Sequence, residues 1–417
     1  MRVRSRRLLL TAVFLFAAIA PPAIAQLRDR DRTFEASEKL ATDLRKARLH
    51  WGPFYLLSYI QFSDLGYDQT YYFPTKDQTA GFSLAVSAPQ RLYFVPNRKS
   101  IYALEATPEI GFFSGKGSHK QFGYLLKGDA NYLLNHVFAD FFVQRSSLLQ
   151  ALTGEINRIA TQTETSGGVN GELRYSTKTR LLYKAVVRKQ KYPMTEYQPT
   201  DVSIAKLDRE QHEYGLSFRH RTFPLTSLTL NATRTDYSLP NAPEKSGKRV
   251  FFGPGFLYDS GLTTMNGQIG PARFTYDQPG QHSFSGVLGN FALNHRVSTY
   301  TSWDFDAARD LEISIFTANN YYVTDRLHLG GQRQMTRRLT ILAGTTYGRD
   351  TYDVPVIVNG IPGIRRRDNM FLASVGWRYA LRHARGGFDV AYYKRTSNVG
   401  IDEENGIRLL LQLSLSP

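Results

Sequence analysis

The sequence predicts an all-β fold: a transmembrane antiparallel up-and-down β-barrel of about 18 strands (16–18), preceded by a short N-terminal helical segment. Three observations carry this. Apolar and polar residues alternate with period two over spans of nine or more residues, as in strands with one apolar and one polar face. Connections alternate along the chain between short and long. After the first residues no stretch reaches the roughly 18 apolar residues that a membrane helix takes, so any crossing is made by strands.

The chain opens on Arg2, Arg4, Arg6 and Arg7, followed by the apolar run Leu8–Ala20 and the small-residue pattern Ala23-Ile24-Ala25. About 13 apolar residues are too few to span a bilayer, so residues 1–25 read as a signal peptide cut after Ala25. Export excludes nucleic acid as the partner of the basic charge. The formal charge of +16, less the four leader arginines, leaves +12 on the mature chain. An anionic lipid or lipopolysaccharide surface, or an anionic solute, is its expected counterpart. There is no cysteine, hence neither a lipid-anchored cysteine nor a disulfide. Residues 26–50 form a periplasmic segment. Within it Arg32–His50 has Phe34, Leu40, Leu44 and Ala47 near a 3.6-residue period. That fits either a plug or docking helix or a solvated leader helix.

From residue 51 to 417 only strands and their connections are expected. The strands are Trp51–Phe62, Gln78–Ala88, Ser100–Phe113, Gln121–Leu134, His136–Ser147, Thr163–Tyr175, Thr179–Lys189, Glu210–Arg221 and Thr226–Ser238, then Lys248–Tyr258, Leu262–Tyr276, His282–Asn294, Val297–Leu311, Asn319–Gln332, Arg338–Tyr352, Arg367–Ala380, Gly386–Ser397 and Gly406–Ser416. The last three show the pattern best: Ile407, Leu409, Leu411, Leu413 and Leu415 oppose Arg408, Gln412, Ser414 and Ser416. Tight turns such as Asn135, Ser176–Lys178, Asp259–Gly261, His295-Arg296 and Arg333–Arg337 follow even-numbered strands. The long stretches Ser63–Asp77, Ser147–Gln162, Gln190–Arg209, Leu239–Gly247 and Asp353–Arg366 follow odd-numbered ones. Short turns on one rim and long loops on the other are the mark of an outer-membrane barrel with both termini in the periplasm of a Gram-negative-type bacterium. The apolar faces carry no charge, consistent with a cost of roughly 2–4 kcal/mol for Arg or Lys near the lipid midplane. Tyr132, Tyr175, Trp377 and Tyr379 near tight turns are expected in an interfacial girdle.

Gly52-Pro53-Phe54 leading to Leu65-Gly66-Tyr67-Asp68 resembles the start of the β-barrel porin type 2 family. Tyr393-Lys394-Arg395-Thr396-Ser397-Asn398 before a last strand of alternating leucines is similar to it as well, as is the cadence of Thr301–Asp310, Asn319–Gly330 and Leu339–Tyr352. The resemblance covers most of the mature chain. It implies an outer-membrane barrel of a kind often associated with exopolysaccharide secretion loci, and it implies no catalytic residue. Biogenesis would then use the barrel assembly machinery.

No enzymatic motif emerges. Gly111–Ser118 has the wrong spacing for a phosphate loop, there is no His-Glu-x-x-His or Gly-x-Ser-x-Gly, and the histidines have no ligand spacing. No cofactor and no metal are expected. What remains is the lumen. Pleat parity sends Arg174, Arg180, Lys184, Arg188, Arg219, Arg378 and Arg395 inward, and Asp389 among the acids. The expected function is a porin or channel for hydrophilic solutes, anionic ones included. The alternatives are an exporter of polysaccharide, with polysaccharide or its export machinery as partner, and a non-conducting surface-binding barrel. Two readings of the inward bases stand side by side: a ring that favours anions, and a set of ion pairs that keeps the wall rigid and wet.

Overall fold

In the computed structural model the described residues are 49–71, 79–97, 99–113, 119–151, 159–192, 204–314, 316, 319–358, 361–399 and 404–415, with Leu44 and Ala47 before them. The leader at 1–25 and nearly all of Arg32–His50 lie outside the described residues. Its last two residues begin a short strand, Leu49–Trp51, that turns at Gly52 and pairs with Phe54–Leu56. Gly52 has φ +57°, a conformation open to glycine, so the turn into Pro53 is accommodated without strain.

The chain folds into a closed antiparallel barrel of 18 strands. β1 is formed by Phe54–Ser58 and Ile60–Tyr71, and β2 by Thr79–Ser87 and Gln90–Asn97. There follow β3 (Ser100–Phe113), β4 (His119–Leu133), β5 (Val137–Ala151), β6 (Ile159–Arg174), β7 (Thr179–Lys191), β8 (Arg209–Phe223) and β9 (Thr226–Ser238), then β10 (Gly247–Asp259), β11 (Thr263–Tyr276), β12 (Phe284–Arg296), β13 (Thr301–Ile313), β14 (Tyr321–Gln334), β15 (Leu339–Val358), β16 (Ile361–Ala380), β17 (Ala384–Ser397) and β18 (Glu404–Leu415). Each strand pairs with the next, and β18 closes on β1 from Leu415↔Ile60 to Arg408↔Asp68. Closure gives each of the eighteen strands a neighbour on both sides.

β1 and β2 bend together. Pro89 cannot donate to a ladder, and at the bend its carbonyl accepts from Tyr59 N (3.2 Å) while Ala88 N donates to Pro108 O (3.1 Å). A second device curves the wall at β10 and β11. Pairing runs from Phe251↔Ala272 to Gly255↔Gln268, with Gly253 and Gly270 between. A Cβ on either glycine would run into the backbone of the opposite strand, so the close approach requires both to lack one.

Connections after even-numbered strands have two to four residues, and those after odd-numbered strands are longer except between β15 and β16. Two expected loops prove to be largely strand. β1 runs on through Ser63 to Tyr71, and β15 and β16 continue through Asp353–Val358 and Ile361–Arg366. Gln90–Asn97, unassigned from the sequence, is also strand. The expected strand at Val297 begins instead at Thr301, because Val297–Tyr300 makes the turn.

Burial is inside-out. On β9 the outward Leu228 and Leu230 are exposed, whereas Thr229, Asn231, Thr233 and Thr235 face inward and are buried. The same alternation puts Val250, Phe252, Ile269, Val287, Leu327, Leu329, Ile407, Leu409 and Leu411 outside. A continuous apolar exterior of this extent needs lipid to cover it. Trp51, Tyr175, Phe223, Tyr300, Trp377 and Tyr379 are exposed close to the short-turn rim, where amphipathic rings suit a membrane interface.

Candidate functional site: the inner wall

The functional surface of such a barrel is its inward face, and here that face is built from charged pairs. Near the short-turn rim, Arg180 on β7 stands directly opposite Arg174 on β6 and Arg219 on β8. Three bases therefore lie in one row across three strands. Glu172, buried at 1% exposure, accepts from both Arg174 Nε (2.6 Å) and Arg180 Nη1 (3.1 Å). One carboxylate is thus shared by two guanidinium groups. Further up β7, Lys184 pairs with Glu213 on β8 at 3.1 Å and Arg188 with Glu164 on β6 at 3.4 Å. Across the barrel Arg378 grips Asp389 with both nitrogens, at 2.7 and 2.8 Å, the planar fork that arginine offers a carboxylate. Arg91–Glu105 and Lys127–Asp129 (2.6 Å) continue the pattern on β2, β3 and β4.

The loop side of the wall is packed more tightly. Asp368 on β16 accepts from Arg395 on β17 (2.6 Å) and from Arg366 (2.7 Å), all three buried. Arg366 also lies against the rings of Tyr352 (4.9 Å) and Phe316 (5.0 Å). Arg249 on β10 reaches Asp310 on β13 at 3.1 Å, past two intervening strands, which the glycine corner beneath it allows by curving the wall. Leu239 and Ala242, in the β9–β10 connection, pack on Tyr237, Phe251 and Phe274. In the same connection Lys245 donates from Nζ to the carbonyls of Ser314 (2.6 Å), Phe316 (2.6 Å) and Asn319 (2.9 Å).

The structure thus gathers Arg174, Arg180, Lys184, Arg188 and Arg219 into one patch. It pairs Arg378 with Asp389 on the opposite wall and sets Arg395 apart in the buried cluster. Arg174, Arg180, Lys184, Arg188, Arg378 and Arg395 each touch a carboxylate. Sequence reading did not find Lys245, Arg249 or Arg366. Arg366 and Lys245 fall in stretches that the sequence reads as loops, and Arg249 lies two residues into a strand whose inward face has no other base and is rich in glycine. Among the described residues no group of His, Asp and Glu is arranged to hold a metal.

Residues 144–416 match the family described as "Putative beta-barrel porin 2". The chain belongs to that family. Its fold and membership place it in an outer membrane, as a porin-type β-barrel. No curated protein sequence matches the chain. Among solved structures it is similar to OccK2 (OpdF) of Pseudomonas aeruginosa in complex with glucuronate, at TM-score 0.50 and 10% identity, over 87% of this chain and 97% of that one. OccK5 (OpdH) of Pseudomonas aeruginosa is matched at TM-score 0.47 and 11% identity, over 87% and 98% of the two chains. The FrpB iron transporter from Neisseria meningitidis is matched at TM-score 0.49 and 10% identity, over 85% of this chain but only 63% of the transporter. At such identities the likeness is one of fold.

Proposed function

We propose that this barrel is a channel for hydrophilic solutes that favours anions, with Arg174, Arg180 and Arg219 at its short-turn mouth as the attracting group. The observation that carries this is their common row with Glu172 shared between two of them. A carboxylate that serves two guanidinium groups leaves positive potential at that mouth, and a low-dielectric wall focuses it on the solute path. The ion pairs higher on the wall have a different part. They keep the inward face polar and fixed, so a solute exchanges water for weak contacts with that face and is released again.

The test is ion selectivity of the refolded chain in a planar bilayer. Wild type is expected to pass chloride in preference to potassium. Arg180→Gln with Arg219→Gln is expected to lower that ratio about two- to fivefold while single-channel current persists. Cation preference, or a silent barrel, would overturn the reading. Glucuronate, the anion in the OccK2 complex, is a suitable single-sugar probe. An acidic oligosaccharide that blocks current where glucuronate does not would favour the polysaccharide-export version.

A further inference from the structure

The outer face carries a second charged feature, separate from the lumen. Above the apolar band, on the long-loop side, Arg234, Lys248, Arg273, Arg309, Arg349 and Arg367 all point outward and are exposed. They come from β9, β10, β11, β13, β15 and β16, so the girdle runs along nearly half of the barrel wall. On the same face of the same strands, nearer the short-turn rim, come apolar side chains: Leu230, Phe252, Ile269, Phe305, Tyr347 and Phe371. The acids beside these bases are fewer. Arg234 meets Asp236 (3.0 Å), Lys248 meets Asp277 (3.9 Å) and Arg309 meets Asp325 (3.2 Å). Arg349 is held instead by neutral groups, with Nη2 donating to Tyr347 Oη (3.1 Å) and Nε to Asn369 Oδ1 (3.2 Å). Tyr347 itself has a half-lipid, half-polar position.

Bases at this level meet headgroups rather than acyl chains. In barrels with short periplasmic turns, the long-loop side faces the outer leaflet, where the headgroup is a phosphorylated disaccharide. Arginine binds phosphate through its planar fork, and several bases spaced around a wall can hold several such headgroups. We propose that this outward girdle is a docking surface for the glucosamine phosphates of lipopolysaccharide. It does not rest on the channel reading, because none of these side chains faces the lumen.

The experiment compares the refolded full chain with a variant carrying Arg234→Gln, Arg273→Gln, Arg309→Gln and Arg349→Gln. Both are reconstituted with lipid A bearing two phosphates, with its dephosphorylated form, or with phosphatidylglycerol. Retained lipid is then read by native mass spectrometry after detergent exchange. Wild type is expected to retain diphosphorylated lipid A at least about tenfold over the other two, and the variant to lose that preference. A second variant with lysine at the same four positions retains it in part and guards against misfolding. Equal retention of all three lipids by wild type, or a glutamine variant indistinguishable from it, would overturn the proposal. So would equal retention of phosphatidylglycerol, which would reduce the girdle to a general anionic-lipid surface.

Discussion

Lys245 is an amine in a buried place, at 2% exposure, and it survives there because three carbonyls replace its water. Those carbonyls belong to the β13–β14 connection, while Lys245 belongs to the β9–β10 connection. The side chain therefore ties two loops across β10 to β13. Replacing it by methionine keeps an unbranched side chain, one atom shorter, and removes the donors to all three carbonyls. Each carbonyl left buried and unpaired costs roughly 1–3 kcal/mol, so the loops are expected to separate and let water in. Lys245→Met should raise amide deuterium exchange over Leu239–Ser246 at least about tenfold while exchange in the barrel strands stays unchanged. Unchanged loop exchange would mean that Leu239 and Ala242, on their apolar seat, hold the connection by themselves.

At the scale of elements, β15 and β16 stand out, with 20 residues each against 12 to 16 in most other strands. At about 3.3 Å per residue the hairpin is about 66 Å long, well beyond an apolar band of about 25 Å even when tilted. Its upper part was expected as a loop from Asp353 to Arg366, and the two readings differ in a measurable way. A protease needs extended, unpaired backbone, whereas Thr351↔Arg367 and Pro355↔Arg365 are paired. Trypsin should therefore cut after Arg365 and Arg367 at least about tenfold more slowly in the folded barrel than in the heat-unfolded chain, although both side chains are exposed. Rapid nicking there would restore the loop. The reason this stretch was not legible is physical. Period two appears where one face meets lipid, as in Phe371, Val375 and Trp377. Above the membrane the outward face meets water and the inward face is a packed polar cluster, so Arg365-Arg366-Arg367-Asp368 is charged on both faces and shows no apolar alternation. In Ser63–Tyr71 the cause is different: register shifts between Ser63 and Gly66 and between Asp68 and Tyr71 interrupt the alternation in a strand that is nonetheless continuous. Within the membrane, the period of two puts Arg174, Arg180 and Arg219 on one face, and that much is legible in the sequence. Their common row is not, because register across strands depends on turn lengths and on shear, which no local pattern encodes.

For the whole molecule the decisive feature is closure, since each strand has two neighbours only if β18 finds β1. Its register is less regular than that of the neighbouring β17–β18 ladder, with a shift between Leu411 and Leu413. Next to it lies Leu410, at 0% exposure, an inward side chain that packs with Ala391 and Leu372 in an otherwise polar wall. This apolar patch holds the last strand in place from within, while Leu409 and Leu411 are held by lipid from outside. Leu410→Ala should cost about 2–4 kcal/mol, seen as a lower urea midpoint for unfolding from vesicles, and the barrel should still close. Leu410→Pro should act on closure itself. Proline cannot donate to a ladder, and in a strand paired on both sides there is no solvent-facing edge to absorb the loss. The unheated variant is then expected to migrate with the unfolded chain in SDS, whereas proline at Leu415, the last paired residue, keeps the compact form. If Leu410→Pro remained compact, the seam would tolerate an open edge, and the barrel's stability would have to come from its long middle ladders, β15–β16 first among them.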